Sequence, residues 1–172
     1  MILSDSAILK GIEDGSIVID PFKREHLNPN SVDLTLDDAI KMYVLNPNED
    51  YLDPKKANEV TEFKISESGK VLYPGWLYLA VCKEKIGVGT GVCAQVAAKS
   101  SLGRLGMDII VGPAGFVDTG FIGSLVLEIR VTHPVIVYPG MKICQLLFYK
   151  VEGDVLEPYG EKKGSKYQNQ VG

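Results

Sequence analysis

A mainly β fold, a sandwich or barrel with only small helices added, is predicted by three observations. Beyond "YPGW" the chain is a succession of short apolar segments at close spacing. Gly or Pro punctuates most of the joints, as in "GVGTG", "VGPAG", "DTGFIG" and "YPGM". Several segments alternate with a period of two, which turns successive side chains to opposite faces. At 172 residues the chain is most simply one domain, residues 1–172, long enough to bury a substantial core.

The elements follow in order. "SDSAILKGIEDG" predicts a helix, with Ile8, Leu9 and Ile12 at helical spacing, Ser4 or Asp5 as N-cap and Gly15 as the stop. "SIVIDPF" predicts a short strand ended by Pro21, and "SVDLTLDDAI" a half-buried strand with Val32, Leu34 and Leu36 on one face. Residues 46–70 are polar and rich in Pro, Asp and Lys, so they read as an excursion with at most one short strand. Further strands are expected at 76–82, 84–88, 92–98, 108–111, 124–131, 134–138 and 142–151. The tail, about 157–172, is polar and has no apolar face. Its composition suits either a disordered terminus or a flap that orders over a ligand.

Charge and composition exclude several classes. A formal net charge of −4 gives no broad attraction to nucleic acid or anionic membrane, so any phosphate site must be local. No apolar run approaches the roughly 20 residues of a membrane span, and the N-terminus lacks the basic region of a signal peptide. Cys82, Cys93 and Cys144 are far apart and set in apolar segments, which suits buried free thiols in a reducing cytoplasm. With no C-x-x-C pair and only His26 and His133 as imidazoles, no zinc site is expected.

Three stretches can carry chemistry. In "KSSLGR", Ser100 and Ser101 offer hydroxyls and N–H groups, Gly103 admits close approach, and Lys99 and Arg104 supply positive charge. The same residues suit an ordinary turn. In "VGPAGFVDTGFIG", Asp118 lies among glycines between Phe116 and Phe121. It is either a turn residue or the acceptor of a small-molecule pocket. In "SLVLEIRV", Leu125, Leu127, Ile129 and Val131 share one face, and Ser124, Val126, Glu128 and Arg130 the other. If that second face lines a cavity rather than water, Glu128 becomes a desolvated carboxylate suited to acid and base work.

Taken together and in order, these motifs resemble the dCTP deaminase branch of the trimeric dUTPase-like superfamily. "MILSD", "GSIVIDPF" and "NSVDLTL" are similar to its N-terminal signature, and "KSSLGRLG" to its phosphate loop. "AGFVDTGFIGSLVLEI" is similar to its nucleoside hairpin and catalytic strand, and "YPGMKICQLLF" with "PYG…GSKYQNQ" to its last strand and lid. The resemblance implies a dUTPase-like β-barrel or sandwich (β-clip) with a short N-terminal helix and a flexible C-terminal lid. It also implies a homotrimer with sites between subunits.

The same resemblance implies metal-independent hydrolysis of dCTP to dUTP and ammonia, with Glu128 as general base. Ser100 and the backbone at Ala114 would position the water, and Arg104 would complete the site from a neighbouring subunit. Lys99, Ser101, Leu102 and Gly103 would form the phosphate loop. Asp118 would take the 3′-hydroxyl, Phe121 would lie beneath the sugar, and Val126 and Leu127 with Glu128 would read the base. Tyr159, Lys166 and Gln170 would close over a triphosphate that carries Mg²⁺, and dTTP would be a feedback inhibitor. Gln145 resembles the bifunctional branch, which carries dCTP on to dUMP and diphosphate; that is the main alternative. A dUTPase, or a nucleotide-binding regulator without turnover, are the others.

Overall fold

The computed structural model describes residues 1–45, 51–110 and 115–171. Helix α1 spans Asp5–Asp14; Ser4 caps it by accepting from Ala7 N, and Gly15 closes it in the left-handed conformation. The strands are β1 (Ile17–Asp20), β2 (Leu27–Asn28), β3 (Ser31–Tyr43), β4 (Val60–Lys64), β5 (Lys70–Leu72) and β6 (Tyr78–Val88). After them come β7 (Val92–Ala98), a one-turn helix α2 (Ser100–Gly103), β8 (Met107–Ile109) and β9 (Phe116–Val117). The last are β10 (Ile122–Val131), β11 (Val135–Val137) and β12 (Lys142–Lys150).

The fold is mainly β, as expected. The main sheet runs β8-β10-β6-β3-β12-β7-β9, with β1 added on β6 and both β2 and β4 on β3. Strand β3 makes the sheet curl. Its first half, Val32 to Thr35, pairs with β12, while Leu36, Ile40 and Lys41 pair with β6 across an irregularity. One strand therefore passes from one wall of a half-barrel to the other. The enclosed core includes Leu34, Leu36, Ile40, Ile86, Ile129, Ile143, Leu146 and Phe148, each fully buried. Such a side chain is worth about 1.5–3 kcal/mol.

Two expectations about strands are corrected. Segments 76–82 and 84–88 form one strand, β6. The sequence "KEK" reads as a break, yet only Lys83 and Lys85 face solvent. Glu84 points inward at 3% exposure, and Thr35 satisfies it by donating from its N (2.8 Å) and its Oγ1 (2.7 Å). Similarly, β3 is not half-buried between Ser31 and Leu36 but buried on both faces. The polar face, Ser31, Asp33 and Thr35, is occupied by bonds to Gln145, to Lys99 and Lys142, and to Glu84, the last of them fully buried. Within residues 51–70, β4 is the one strand until β5 begins at Lys70.

Of the cysteines, Cys82 and Cys144 are buried with their Sγ atoms 3.9 Å apart, whereas Cys93 is half-buried. The hydrogen bond with Cys144, followed by burial, pushes the Cys82 thiol well up, so it is held protonated. No helix among the described residues is long and apolar enough to cross a membrane.

Candidate active site

Strand β10 places Glu128. Leu125, Leu127, Ile129 and Val131 anchor one face in the core, so Ser124, Val126 and Glu128 look the other way and are half-buried. At the far end of that face, Arg130 is exposed and meets Asp108 at 3.4 Å. The face therefore passes from cavity to solvent within one strand. Glu128 sits on the cavity side, and burial raises its carboxyl above the ordinary glutamate range.

The cavity in front of Glu128 measures about 730 Å³. Asp118, Phe121, Val126, Leu127, Tyr159 and Gln170 line it together with Glu128. Asp118 and Phe121 come from the segment expected as a hairpin, a turn linking β9 to β10 although the two strands pair with different neighbours, where Gly120 turns the chain at φ +87°. Phe121 meets the Tyr159 ring edge-on with centroids 5.7 Å apart, tying hairpin to tail. A second cavity of about 550 Å³ shares Asp118 and Tyr159 and is lined by Lys162, Lys163 and Lys166. Three lysines beside two carboxylates (Asp118 and Glu157) and two tyrosines (Tyr159 and Tyr167) suit an anionic ligand with a polar body.

The tail is a strap laid along the hairpin. Tyr159 N donates to Thr119 O, Asn169 N to Ile122 O and Ser124 N to Gln170 O, each within 2.9 Å. The Gln168 amide grips the hairpin main chain twice: Ile122 N donates to its Oε1, and its Nε2 donates to Gly120 O, both at 3.1 Å. Gln170 Nε2 donates to Ser124 O at 2.7 Å, beside Glu128's row. Gly120 and Gly123 leave the space for this contact. A Cβ on Gly120 would meet Pro158 Cβ at 2.6 Å, and one on Gly123 would meet Gln170 N at 3.1 Å.

The phosphate-loop residues lie elsewhere. Ser100, Ser101, Gly103 and Arg104 are exposed around α2, Leu102 packs on the core, and none of them lines either cavity. Lys99 turns inward and donates to Asp33 Oδ1 at 2.6 Å; Lys142 meets Asp33 Oδ2 at 3.0 Å. Burial works to raise the Asp33 carboxyl, but the two ammonium groups outweigh it and hold it below the usual range. Gln145 stands on β12 opposite Asp33 and accepts from Ser31 Oγ at 2.9 Å. Ala114 lies outside the described residues.

One chain thus gathers seven of the expected residues, Glu128 included, in one cavity, sets Lys166 in the adjoining cavity, and leaves residues 99–104 and Gln145 apart. Reading the sequence did not single out Tyr43, Leu79, Val96, Ile110 and Tyr167 as lining, nor Asp33, Lys142 and Gln168. Tyr43 ends β3 and Leu79 is the second residue of β6, where a periodic pattern gives no hint of a pocket. Among the described residues no group of three or more His, Cys, Asp or Glu can hold a metal ion.

Residues 2–151 match the family described as dCTP deaminase-like. The chain is 42% identical over 172 residues to the dUMP-forming dCTP deaminase of Leptospira biflexa, covering all of this chain and 92% of that protein. It is 39% identical over 180 residues to the protein of the same name from Dictyoglomus thermophilum, again covering 100% and 92%. Among solved structures, the fold resembles 2′-deoxycytidine 5′-triphosphate deaminase from Agrobacterium tumefaciens, with TM-score 0.68 and 24% identity over 87% of this chain. This chain spans about half, 48%, of that one. It also resembles a dUTPase from phage phi11 of S. aureus, described with a structural Mg(II) ion, with TM-score 0.53 and 12% identity over 86% and 99% of the two chains. At these identities the two structures speak for the fold, and the sequence relatives for the family. The chain belongs to the dCTP deaminase-like family.

Proposed function

We propose that this chain is a dCTP deaminase of the dUMP-forming kind, hydrolysing dCTP to dUMP, diphosphate and ammonia. The observation that carries the reading is Glu128. It is a carboxylate with a raised pKa in a cavity that also presents a hydroxyl acceptor, Asp118, and an aromatic face, Phe121. The names of the full-length relatives favour dUMP over dUTP as the product, and so move the weight from the simple deaminase to the bifunctional alternative.

In deamination, Glu128 takes a proton from water as the water oxygen bonds to C4 of cytosine, and passes that proton to N3. Glu128 then takes the remaining proton from the C4 hydroxyl and delivers it to the 4-amino group, so that the C4–N4 bond breaks, the C4 carbonyl forms and ammonia leaves. A raised pKa serves both directions of this transfer at neutral pH. In the second hydrolysis a water oxygen bonds to the α-phosphorus, the bond to the β-phosphate bridge breaks, and Asp118 accepts the proton. Val126 and Leu127 hold the base edge, Phe121 packs the sugar, and Tyr159, Lys166 and Gln170 cover the phosphates. Mg²⁺, when bound, neutralises part of the triphosphate charge; its ligands would be mainly phosphate oxygens. Ser100 and Arg104, which lie outside the Glu128 cavity, would enter from a neighbouring subunit of a homotrimer, with the backbone at Ala114 holding the water. Binding of dTTP at the same site would give feedback inhibition.

The test is to incubate the protein with dCTP and Mg²⁺ and separate the nucleotides by anion exchange. The reading expects dUMP and diphosphate without accumulation of dUTP. Accumulating dUTP would identify the simple deaminase, and unchanged dCTP would reject both.

A further inference from the structure

The loop at residues 99–104 is held to the fold by few contacts. Lys99 follows directly on β7, and its carbonyl accepts from Leu102 N and Gly103 N at 3.0 Å each. Arg104 N closes the turn on Ser100 O at 3.0 Å. These bonds shape the turn but do not fix it in the molecule. Among the described residues, two of the loop's side chains do, Leu102, packed on the core, and Lys99, paired with Asp33, and just beyond the loop Thr132 N donates to Gly106 O at 2.8 Å.

Asp33 is well placed to anchor this loop. Its side chain is 5% exposed, and it lies on β3 opposite Gln145 of β12, which in turn pairs with Ala97 of β7. The carboxylate is thus fixed by three adjacent strands at the level where β7 ends and the loop begins. A buried carboxylate needs full pairing, and here each oxygen has its own ammonium. Lys142 belongs to β12, which is paired with β3 on one side and β7 on the other, whereas Lys99 opens the loop. Its ammonium is committed to Asp33 at 2.6 Å rather than extended towards solvent with Arg104.

We propose that Asp33 is a positioning residue for the nucleotide site, holding residues 99–104 in place through Lys99. Lys99 then acts as the loop's anchor, and the positive charge offered to phosphate from this side is Arg104. The inference rests on reading that loop as the phosphate side of the proposed site.

The experiment compares Asp33→Asn, Lys99→Met, Lys142→Met and the double variant Asp33→Asn/Lys99→Met. For each, KM and kcat with dCTP and the amide hydrogen exchange of residues 99–106 without nucleotide are measured. Asp33→Asn and Lys99→Met are each expected to raise KM about tenfold while kcat changes by less than about threefold, the pattern of lost binding geometry. Exchange across the loop should quicken in both. The double variant should be no worse than either single one, because both remove the same link. Lys99→Arg should restore most of the loss, and Lys142→Met, which breaks the other half of the same ion cluster, should leave loop exchange near wild type.

Additive effects in the double variant would overturn the inference, as would equal loop loosening by Lys142→Met and Lys99→Met. The second result would make Asp33 a structural ion pair only. If Asp33→Asn does not fold, the comparison of the two lysine variants decides alone. If the wild type leaves dCTP unchanged, the proposed function fails, while the exchange measurements still decide whether Asp33 holds the loop.

Discussion

Two regions of this chain are suited to a nucleotide, and they are built in opposite ways. Around Glu128 the groups sit on a core strand, a hairpin and a strap that grips the hairpin main chain, so one chain makes a half-open cavity. Around Arg104 the groups stand exposed on a single turn, tied down by Leu102 and one buried ion pair. The first region has burial to tune a pKa, and the second has reach. Under the proposed function a finished site would draw on both, with the exposed half offered to a neighbouring copy.

The largest expected effect falls on the half around Glu128. Glu128→Gln should lower deamination by about 10²–10⁴-fold while nucleotide binding survives, as checked by steady-state ammonia release and by calorimetry with dCTP. Because burial raises its pKa and the base must be ionised, the acid limb of kcat/KM should lie at higher pH than an unperturbed glutamate would give. The two carboxylates also oppose each other in stability. Ionised Glu128 disfavours the fold above its raised pKa, a penalty relieved as pH falls through that value. Asp33, with its lowered pKa, stabilises above the ordinary Asp value and loses that contribution as pH falls through the folded one.

Next in size is a change that touches neither half directly. Thr35→Val removes the hydroxyl that serves Glu84 Oε1 and leaves a buried carboxylate oxygen without its partner. Urea unfolding should report a loss of about 1–3 kcal/mol. A smaller effect is expected from Gly120→Ala. It places a Cβ at positive φ and 2.6 Å from Pro158, so the strap must lift. KM for dCTP should rise several-fold, about 1 kcal/mol, and limited proteolysis should cut the tail sooner. The smallest effect belongs to Arg130→Ala, on the solvent end of the same strand face. Its pair with Asp108 is more than half exposed, so stability should change by about 0.5 kcal/mol or less.

Much of this was legible in the sequence because period and punctuation report one-sided burial. The β10 alternation placed Glu128 on the correct face, and Gly15 and Ser4 marked the helix ends. The misses share a physical cause. A buried polar row such as Ser31, Asp33 and Thr35 looks identical in sequence to a solvent-facing one, and only its partners on distant strands tell them apart. Glu84 within "KEK" was hidden for the same reason. In the tail, composition left the choice between disorder and a strap open, because the Gln168 grip is on main chain that any sequence presents. Within one chain residues 99–104 stand apart from the Glu128 cavity, and the order and spacing of the motifs alone do not show that separation.

The most direct test of two half-sites is complementation between inactive variants. Glu128→Gln and Arg104→Ala, each purified inactive, would be mixed, partially unfolded and refolded to exchange subunits, and then assayed for deamination of dCTP. If Glu128 of one subunit works with Arg104 of its neighbour, random mixing returns about a quarter of wild-type activity. A mixture with verified exchange that stays inactive would contradict the shared site and require Arg104 and Glu128 to act within one chain.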